Sequence, residues 1–352
     1  MTKNLITGIA GFVASHLADL LLEKGEEVIG LYRWNEDLSR ISHIKDKITL
    51  IPANLNDLSS MIKAVEESKP DYIFHLAAES YVSDSFSFPH EAISVNTLGT
   101  LNLLEAVRMV RDREKELYQT RTERVNVGYF DPVVHICSSS EVYGLVNEDE
   151  VPIKETCKFN PGNPYAVGKV GTDMLGLMYW TNYSIKTIRT RMFTHTGPRR
   201  TMMSAEVAFA KQIAEFEKIE GSKADLNGEE YEVSFTEFTL KHGNLDSIRT
   251  WADVRDAVKA YYVLVRKGTP GEVYNIGGNT TKTIGEMLDY LISLSPLKDK
   301  IKKEVDKSLL RPYDVTLQIP DISKFQKDTG WESEISFEKT MSDLLNYWRE
   351  NV

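Results

Sequence analysis

A chain of 352 residues, 41% hydrophobic and 27% charged, is long enough for one large domain or two coupled ones, each with a real core, which excludes a disordered chain. The formal net charge of -10 and the lack of any long Lys/Arg run argue against a general binder of nucleic acid or anionic membrane, while a local pocket for a small phosphorylated ligand stays open. Cys137 and Cys157 form no metal-type cluster, and the N-terminal apolar run carries His16 and Asp19 where a signal peptide or membrane span needs unbroken hydrocarbon, so a cytoplasmic protein without a metal is expected.

In chain order, "KNLIT" reads as a first strand and "FVASHLADLLLEKG" as a helix, with Phe12, Val13, Leu17, Leu20 and Leu21 at helical spacing. Between them "TGIAGFVAS" sets Gly8, Gly11 and Ala14 where strand turns into helix. A dinucleotide pyrophosphate can rest on such a helix N-terminus, and small residues let the backbone approach it; a tight turn that needs glycine only for geometry is the plainer reading. The second strand, "EEVIGLYR", ends on Arg33 where an acid would hold the ribose hydroxyls of NAD; a guanidinium there suits the 2′-phosphate of NADP, against a merely solvent-facing arginine. "ITLIPANL" and "DYIFHLAA" follow as strands. The charged run from Arg111 to Asp131 reads as a helix extension and loop. Next comes "VVHICSSSEVYG", an apolar strand in which Cys137 reads as buried packing and whose end is loaded with hydroxyls and a carboxylate, a polar cap if nothing else converges there. "NPYAVGKV" then puts Tyr165 and Lys169 at i and i+4 on one helix face, where an ammonium favours the phenolate and makes a usable base.

After "SIKTIRTRMF" the pattern loosens into "EFEKIEGSKADLNGEEYEVSFTEFTLKHGNL", read as loop and short strands, before "RTWADVRDAVKAYYVLVRKG" and "GEVYNIGG" return to the sheet as a helix and a strand. The alternation predicts an α/β fold, a Rossmann-type doubly wound parallel sheet over 1–190, rejoined by about 248–278. A smaller, discontinuous α+β substrate-binding lobe is expected from 191–247 and 279–352.

Ser139, Tyr165, Lys169, the glycine turn, and Asn96 and Thr100 in "SVNTLGT" together resemble the extended short-chain dehydrogenase/reductases over nearly the whole chain. The resemblance implies that Ser139 and Tyr165 hold a substrate hydroxyl, that Tyr165 exchanges its proton, that Lys169 binds the nicotinamide ribose, and that hydride passes to or from the nicotinamide. Glu141 narrows this. Oxidation or epimerisation in that family needs only the Ser/Tyr/Lys set, whereas its sugar-nucleotide 4,6-dehydratases add a carboxylate in this loop: a C4 ketone acidifies the C5 hydrogen, and a base must remove it as the C6 hydroxyl leaves. An exposed loop glutamate is the alternative.

The stretches "HLAAESYVSDSFSFP", "FTHTGPRR", "GNLDSIRTWADVRD" and "LRPYDV" resemble the GDP-mannose 4,6-dehydratases and the related keto-sugar reductases. By that resemblance NADP meets Gly8, Gly11, Phe12, Val13, Arg33, Asn54, Leu55, Leu76, Ala77, Ala78, Tyr165 and Lys169. A GDP-sugar substrate meets Ser80, Ser85, Ser140, His195, Lys211, Asn244, Arg249, Arg311 and Asp314, the arginines at the diphosphate and Asp314 at the ribose. Four features depart from the pattern: Ala14 in place of a third glycine, Asn54 where an aspartate usually faces the adenine, Asp314 for the usual glutamate, and charged insertions at 111–131 and 221–241. The implied activity is dehydration of GDP-mannose or a related GDP-hexose or heptose to the 4-keto-6-deoxy sugar by a homodimer or homotetramer. A reductase or epimerase of a GDP-4-keto sugar is the alternative, and an idle NADP-binding regulator a third, disfavoured because Ser139, Glu141, Tyr165 and Lys169 are all present.

Overall fold

Short apolar strands alternate with amphipathic helices in the computed structural model, which describes residues 1–120, 129–220, 222–226, 229–310 and 315–352. Strands β1 (Lys3–Thr7), β2 (Glu27–Tyr32), β3 (Thr49–Pro52), β4 (Tyr72–His75), β5 (Val133–Cys137) and β6 (Lys186–Met192), with Val273–Ile276, form one parallel sheet in the order β3-β2-β1-β4-β5-β6-(Val273–Ile276). Helices α1 (Phe12–Glu23), α2 (Leu58–Ser68), α3 (Val82–Ser87), α4 (Pro89–Ile93), α5 (Gly99–Thr120) and α6 (Pro164–Tyr183) connect them. Helices on a parallel sheet bury its strands, which explains the near-continuous Leu, Ile and Val runs. One core cluster joins Leu5, Ile29, Ile73, Val134 and Ile136 of the strands to Met61 and Val65 of α2 and Leu103, Leu104 and Val107 of α5. Burial of each such side chain contributes about 1.5–3 kcal/mol.

Strand order reverses beside β1: the chain builds outward through β2 and β3, then crosses back to β4. A crevice opens at the carboxyl ends of strands at such a point. Gly8 stands there at φ +68°, where an added Cβ would lie 2.9 Å from the Ala77 Cα. The neighbouring Thr7 Oγ1 accepts the N–H groups of Leu76 and Ala77 at 3.1 and 3.0 Å, tying the two strand ends together. Gly8→Ala combines left-handed strain with a backbone clash and is expected to lower stability by about 1–3 kcal/mol. Denaturant unfolding checks this, and an unchanged midpoint would contradict it.

The described residues fall into two compact units. The first comprises Met1–Phe193, Arg255–Ile276 and Pro320–Glu332; the second comprises Thr194–Val254, Gly277–Ile319 and Ser333–Val352. In the second, Ile248–Asp253 pairs antiparallel with Thr280–Thr283 and parallel with Leu317–Gln318 and His195–Thr196. Helices Ala205–Ile219, Ile284–Ser293 and Phe337–Asn351 cover a core that includes Ile213, Leu240, Trp251, Leu288 and Leu344. Two readings of the sequence change here. Residues 215–219 continue a helix rather than a loop, because Phe216 is buried and stacks on Phe238 at 4.5 Å. Residues 248–253, read as part of a helical return to the large sheet, are a strand of the second unit. The charged run after Arg111 is helical through Thr120.

Candidate active site

Strand β5 delivers Ser138–Glu141 to the carboxyl edge of the sheet. Ser139, 8% exposed, caps the one-turn helix Ser140–Tyr143, its Oγ accepting the Glu141 N–H at 3.2 Å. That cap uses a lone pair of the hydroxyl and not its proton. Ser140 is buried beside it. The half-buried Glu141 accepts, at Oε2, a hydrogen bond of 3.1 Å from Asn163 Nδ2.

Asn163 is also the cap of α6, its Oδ1 accepting the Ala166 N–H at 2.8 Å, with Pro164 in the first helical position. Tyr165 and Lys169 follow within that helix, and the Lys169 Nζ lies 5.9 Å from the centre of the Tyr165 ring. The same Nζ donates to the Cys137 carbonyl at 2.8 Å, linking α6 to β5. Burial lowers the Lys169 pKa below that of an ordinary lysine, with the neighbouring Cys137 opposing this. Cys137 is half-buried rather than fully buried as expected from its strand, with its sulfur 3.6 Å from the Tyr261 hydroxyl.

A polar network runs behind these groups. His75 spans Thr7 Oγ1 at Nδ1 and Thr100 Oγ1 at Nε2, both at 3.0 Å. Thr100 lies 3.2 Å from the Thr172 hydroxyl on α6 and donates to the Asn96 carbonyl at 2.6 Å. Burial, with the Lys169 charge adding, pulls the His75 pKa down to about 3; burial does the same to His135. Both imidazoles are therefore neutral at ordinary pH; His75 ties the end of β1 at the glycine turn, through Thr100, to Thr172 of the helix that carries Tyr165 and Lys169, while His135 bonds the Thr190 hydroxyl of β6 at 2.8 Å.

Around the crevice, Gly11 is the N-terminal cap residue of α1 and offers no side chain to its N–H groups, an arrangement open to an anion. Phe12 is buried edge-on to His16 at 5.6 Å and Val13 is half-buried. Arg33, exposed at the end of β2, donates its backbone N–H to the Glu36 carboxylate at 2.9 Å. Its charge also acts on the half-buried Glu79, whose pKa is raised by burial first and Glu91 next, with Arg33 opposing. An acid thus does stand near Arg33. Asn54 is exposed in a turn whose Asn56 N–H it accepts at 3.0 Å, and Leu55 lies under Gly99. Leu76, Ala77 and Ala78, half-buried, continue from β4.

Ser80 is exposed beyond β4, whereas Ser85 is buried and donates to the Val82 carbonyl at 2.7 Å. In the second unit, His195 pairs with Ala252. Lys211 is 3.4 Å from Glu215 and 5.9 Å from the centre of the Trp348 ring. Asn244 accepts the Asp246 N–H at 3.0 Å and Arg249 donates to the Ile248 carbonyl at 2.9 Å. Arg311 and Asp314 lie outside the described residues. Asn163 was missed by the sequence reading, although an asparagine directly before a helix-starting proline is a capping signature. Among the described residues no His, Cys, Asp or Glu group could hold a metal ion, and no helix is long and apolar enough to cross a membrane.

The family model for GDP-mannose 4,6 dehydratase matches residues 5–344. A GDP-mannose 4,6-dehydratase of Yersinia enterocolitica is 30% identical, covering 98% of this chain and 93% of its own. A GDP-6-deoxy-D-mannose reductase of Pseudomonas aeruginosa is 28% identical over 100% of this chain and 99% of that protein. In three dimensions, RMD from Pseudomonas aeruginosa complexed with NADPH matches with a TM-score of 0.77 and 25% identity, over 100% of both chains. With a match that spans the parallel sheet, its glycine turn and the Ser139–Glu141 and Tyr165–Lys169 segments alike, the chain belongs to the GDP-mannose 4,6 dehydratase family.

Proposed function

We propose that this protein removes water from a GDP-sugar, GDP-mannose or a related GDP-hexose or heptose, to yield the 4-keto-6-deoxy product. The observation that carries the reading is the Glu141 carboxylate, which follows Ser139 and is held by Asn163 at the head of the helix bearing Tyr165 and Lys169. The names of the relatives support the guanine nucleotide and the sugar class.

A nicotinamide dinucleotide fits the residues present: the Gly8 turn has no room for a side chain and the start of α1 has no side-chain cap. Gly8, Gly11, Phe12 and Val13 would hold its pyrophosphate, Arg33 a 2′-phosphate, Asn54 and Leu55 the adenine, and Lys169 with Leu76–Ala78 the nicotinamide ribose side. When bound, it supplies a hydride acceptor for C4 and a hydride donor for C6, so the net change is loss of water with no cofactor consumed.

The chain's own groups move the protons. Ser139 donates to the C4 oxygen while Tyr165 takes its proton, and the Lys169 charge favours the phenolate that accepts it. Glu141 removes the C5 proton, which the ketone has acidified, and passes it to the departing C6 hydroxyl, so that water leaves and a C5–C6 double bond remains. A proton returned to C5, together with the hydride that the bound dinucleotide would give back at C6, completes the product. Ser80 and Ser85 are assigned to the hexose, Arg249 and Arg311 to the diphosphate and Asp314 to the ribose, with Ser140, His195, Lys211 and Asn244 as further substrate-binding candidates.

A second reading, reduction of a GDP-4-keto sugar, is favoured by the reductase relative and the NADPH-bound RMD. A panel of GDP-, UDP-, dTDP- and CDP-sugars, with no cofactor added and mass spectrometry for loss of water, separates the two. Repeated turnover on a GDP-sugar is expected; turnover only with added NADPH transfers the assignment to the reductase.

Arg33→Ala tests the cofactor choice. Loss of a charge-assisted contact should weaken NADP by about 1–3 kcal/mol and leave NAD nearly unchanged. Titration with each dinucleotide measures this, and equal losses would remove Arg33 from a 2′-phosphate site.

A further inference from the structure

We propose that Asn163 is a positioning residue for Glu141, its side-chain amide orienting the carboxylate for the elimination step. The inference rests on the reading of Glu141 as the base.

Asn163 is 5% exposed and its two amide atoms have separate duties: Oδ1 accepts the Ala166 N–H at 2.8 Å and Nδ2 donates to Glu141 Oε2 at 3.1 Å. The first fixes the second. Flipping the amide would face its NH2 against the Ala166 N–H and its oxygen against a carboxylate, so the cap of α6 also determines where the donor points. Glu141 is held at both ends, since its own N–H is taken by Ser139 Oγ at 3.2 Å. A glutamate side chain otherwise samples many rotamers, and one bond from a fixed donor selects among them. The helix that carries Tyr165 and Lys169 therefore also sets the direction of the carboxylate. In this way the groups for the C4 step and the C5 step share one rigid element.

The two duties can be separated. Serine and aspartate cap helices as well as asparagine does, yet serine is too short to reach Glu141 and aspartate has no N–H to give. Asn163→Ser and Asn163→Asp are each compared with wild type for thermal midpoint, for reduced-nicotinamide absorbance on adding GDP-mannose, and for entry of solvent deuterium at C5. Both variants should keep their midpoints and the reduction step, while C5 exchange and water loss slow about ten- to hundredfold, with aspartate the slower because like charges then face each other. Wild-type dehydration in both variants, which is what a cap alone produces, would overturn the proposal, and so would equal slowing of both steps, which is what a general disturbance of α6 produces. Glu141→Gln separates the two layers of inference. If it dehydrates normally, the base assignment has failed; if it stalls while Asn163→Ser does not, only the role of Asn163 has failed.

Discussion

Tyr165→Phe is expected to abolish turnover, lowering it by about a thousandfold or more, because the only change is loss of the hydroxyl that takes the C4 proton. The ring stays, so its packing and its place beside the Lys169 ammonium are kept, and the unfolding midpoint should not move. No reduced-nicotinamide absorbance should appear when substrate is added, since without proton removal no ketone forms. The buried His75 and His135 offer no substitute: with pKa values of about 3 they are neutral, and their nitrogens at Thr7, Thr100 and Thr190 serve the framework. A variant that still reduces its cofactor at the wild-type rate would place the C4 proton elsewhere.

Glu141→Gln should fail later in the reaction. Glutamine keeps the size of the side chain but removes the base, so oxidation at C4 proceeds, absorbance rises once per site, and water loss stalls by about a hundred- to ten-thousandfold. Solvent deuterium should then stay out of C5. Dehydration at the wild-type rate would reduce Glu141 to a residue of the capped turn after β5, and the reductase reading would lead.

The parts of the molecule that repeat at short range could be read from the chain. Apolar strands alternating with helices located β1 to β6, because burial on both sheet faces leaves continuous Val, Ile and Leu runs. The Tyr165–Lys169 pair was equally plain, since i and i+4 share a helix face whatever the tertiary context. Contacts between distant segments were not readable. Nothing local tells Asn163 that it will meet Glu141, or Thr7 that it will meet His75. Ile248–Asp253 was misread for a related reason: a strand of six residues continuous with the helix Val254–Lys267 looks helical until its partners Thr280–Thr283 and Leu317–Gln318 are known. The same holds for Pro320–Glu332, which rejoins the first unit through Phe325 packed on Tyr274 at 5.7 Å.

Isotope tracing bears most directly on the proposed internal redox dehydration. GDP-mannose carrying deuterium at C4 is incubated with the wild-type protein and no added cofactor, and the product is analysed by NMR and mass spectrometry. Deuterium should appear at C6 of a product that has lost water, with one solvent hydrogen at C5. Deuterium retained at C4, or product formed only when NADPH is supplied and bearing none of the label at C6, would contradict it.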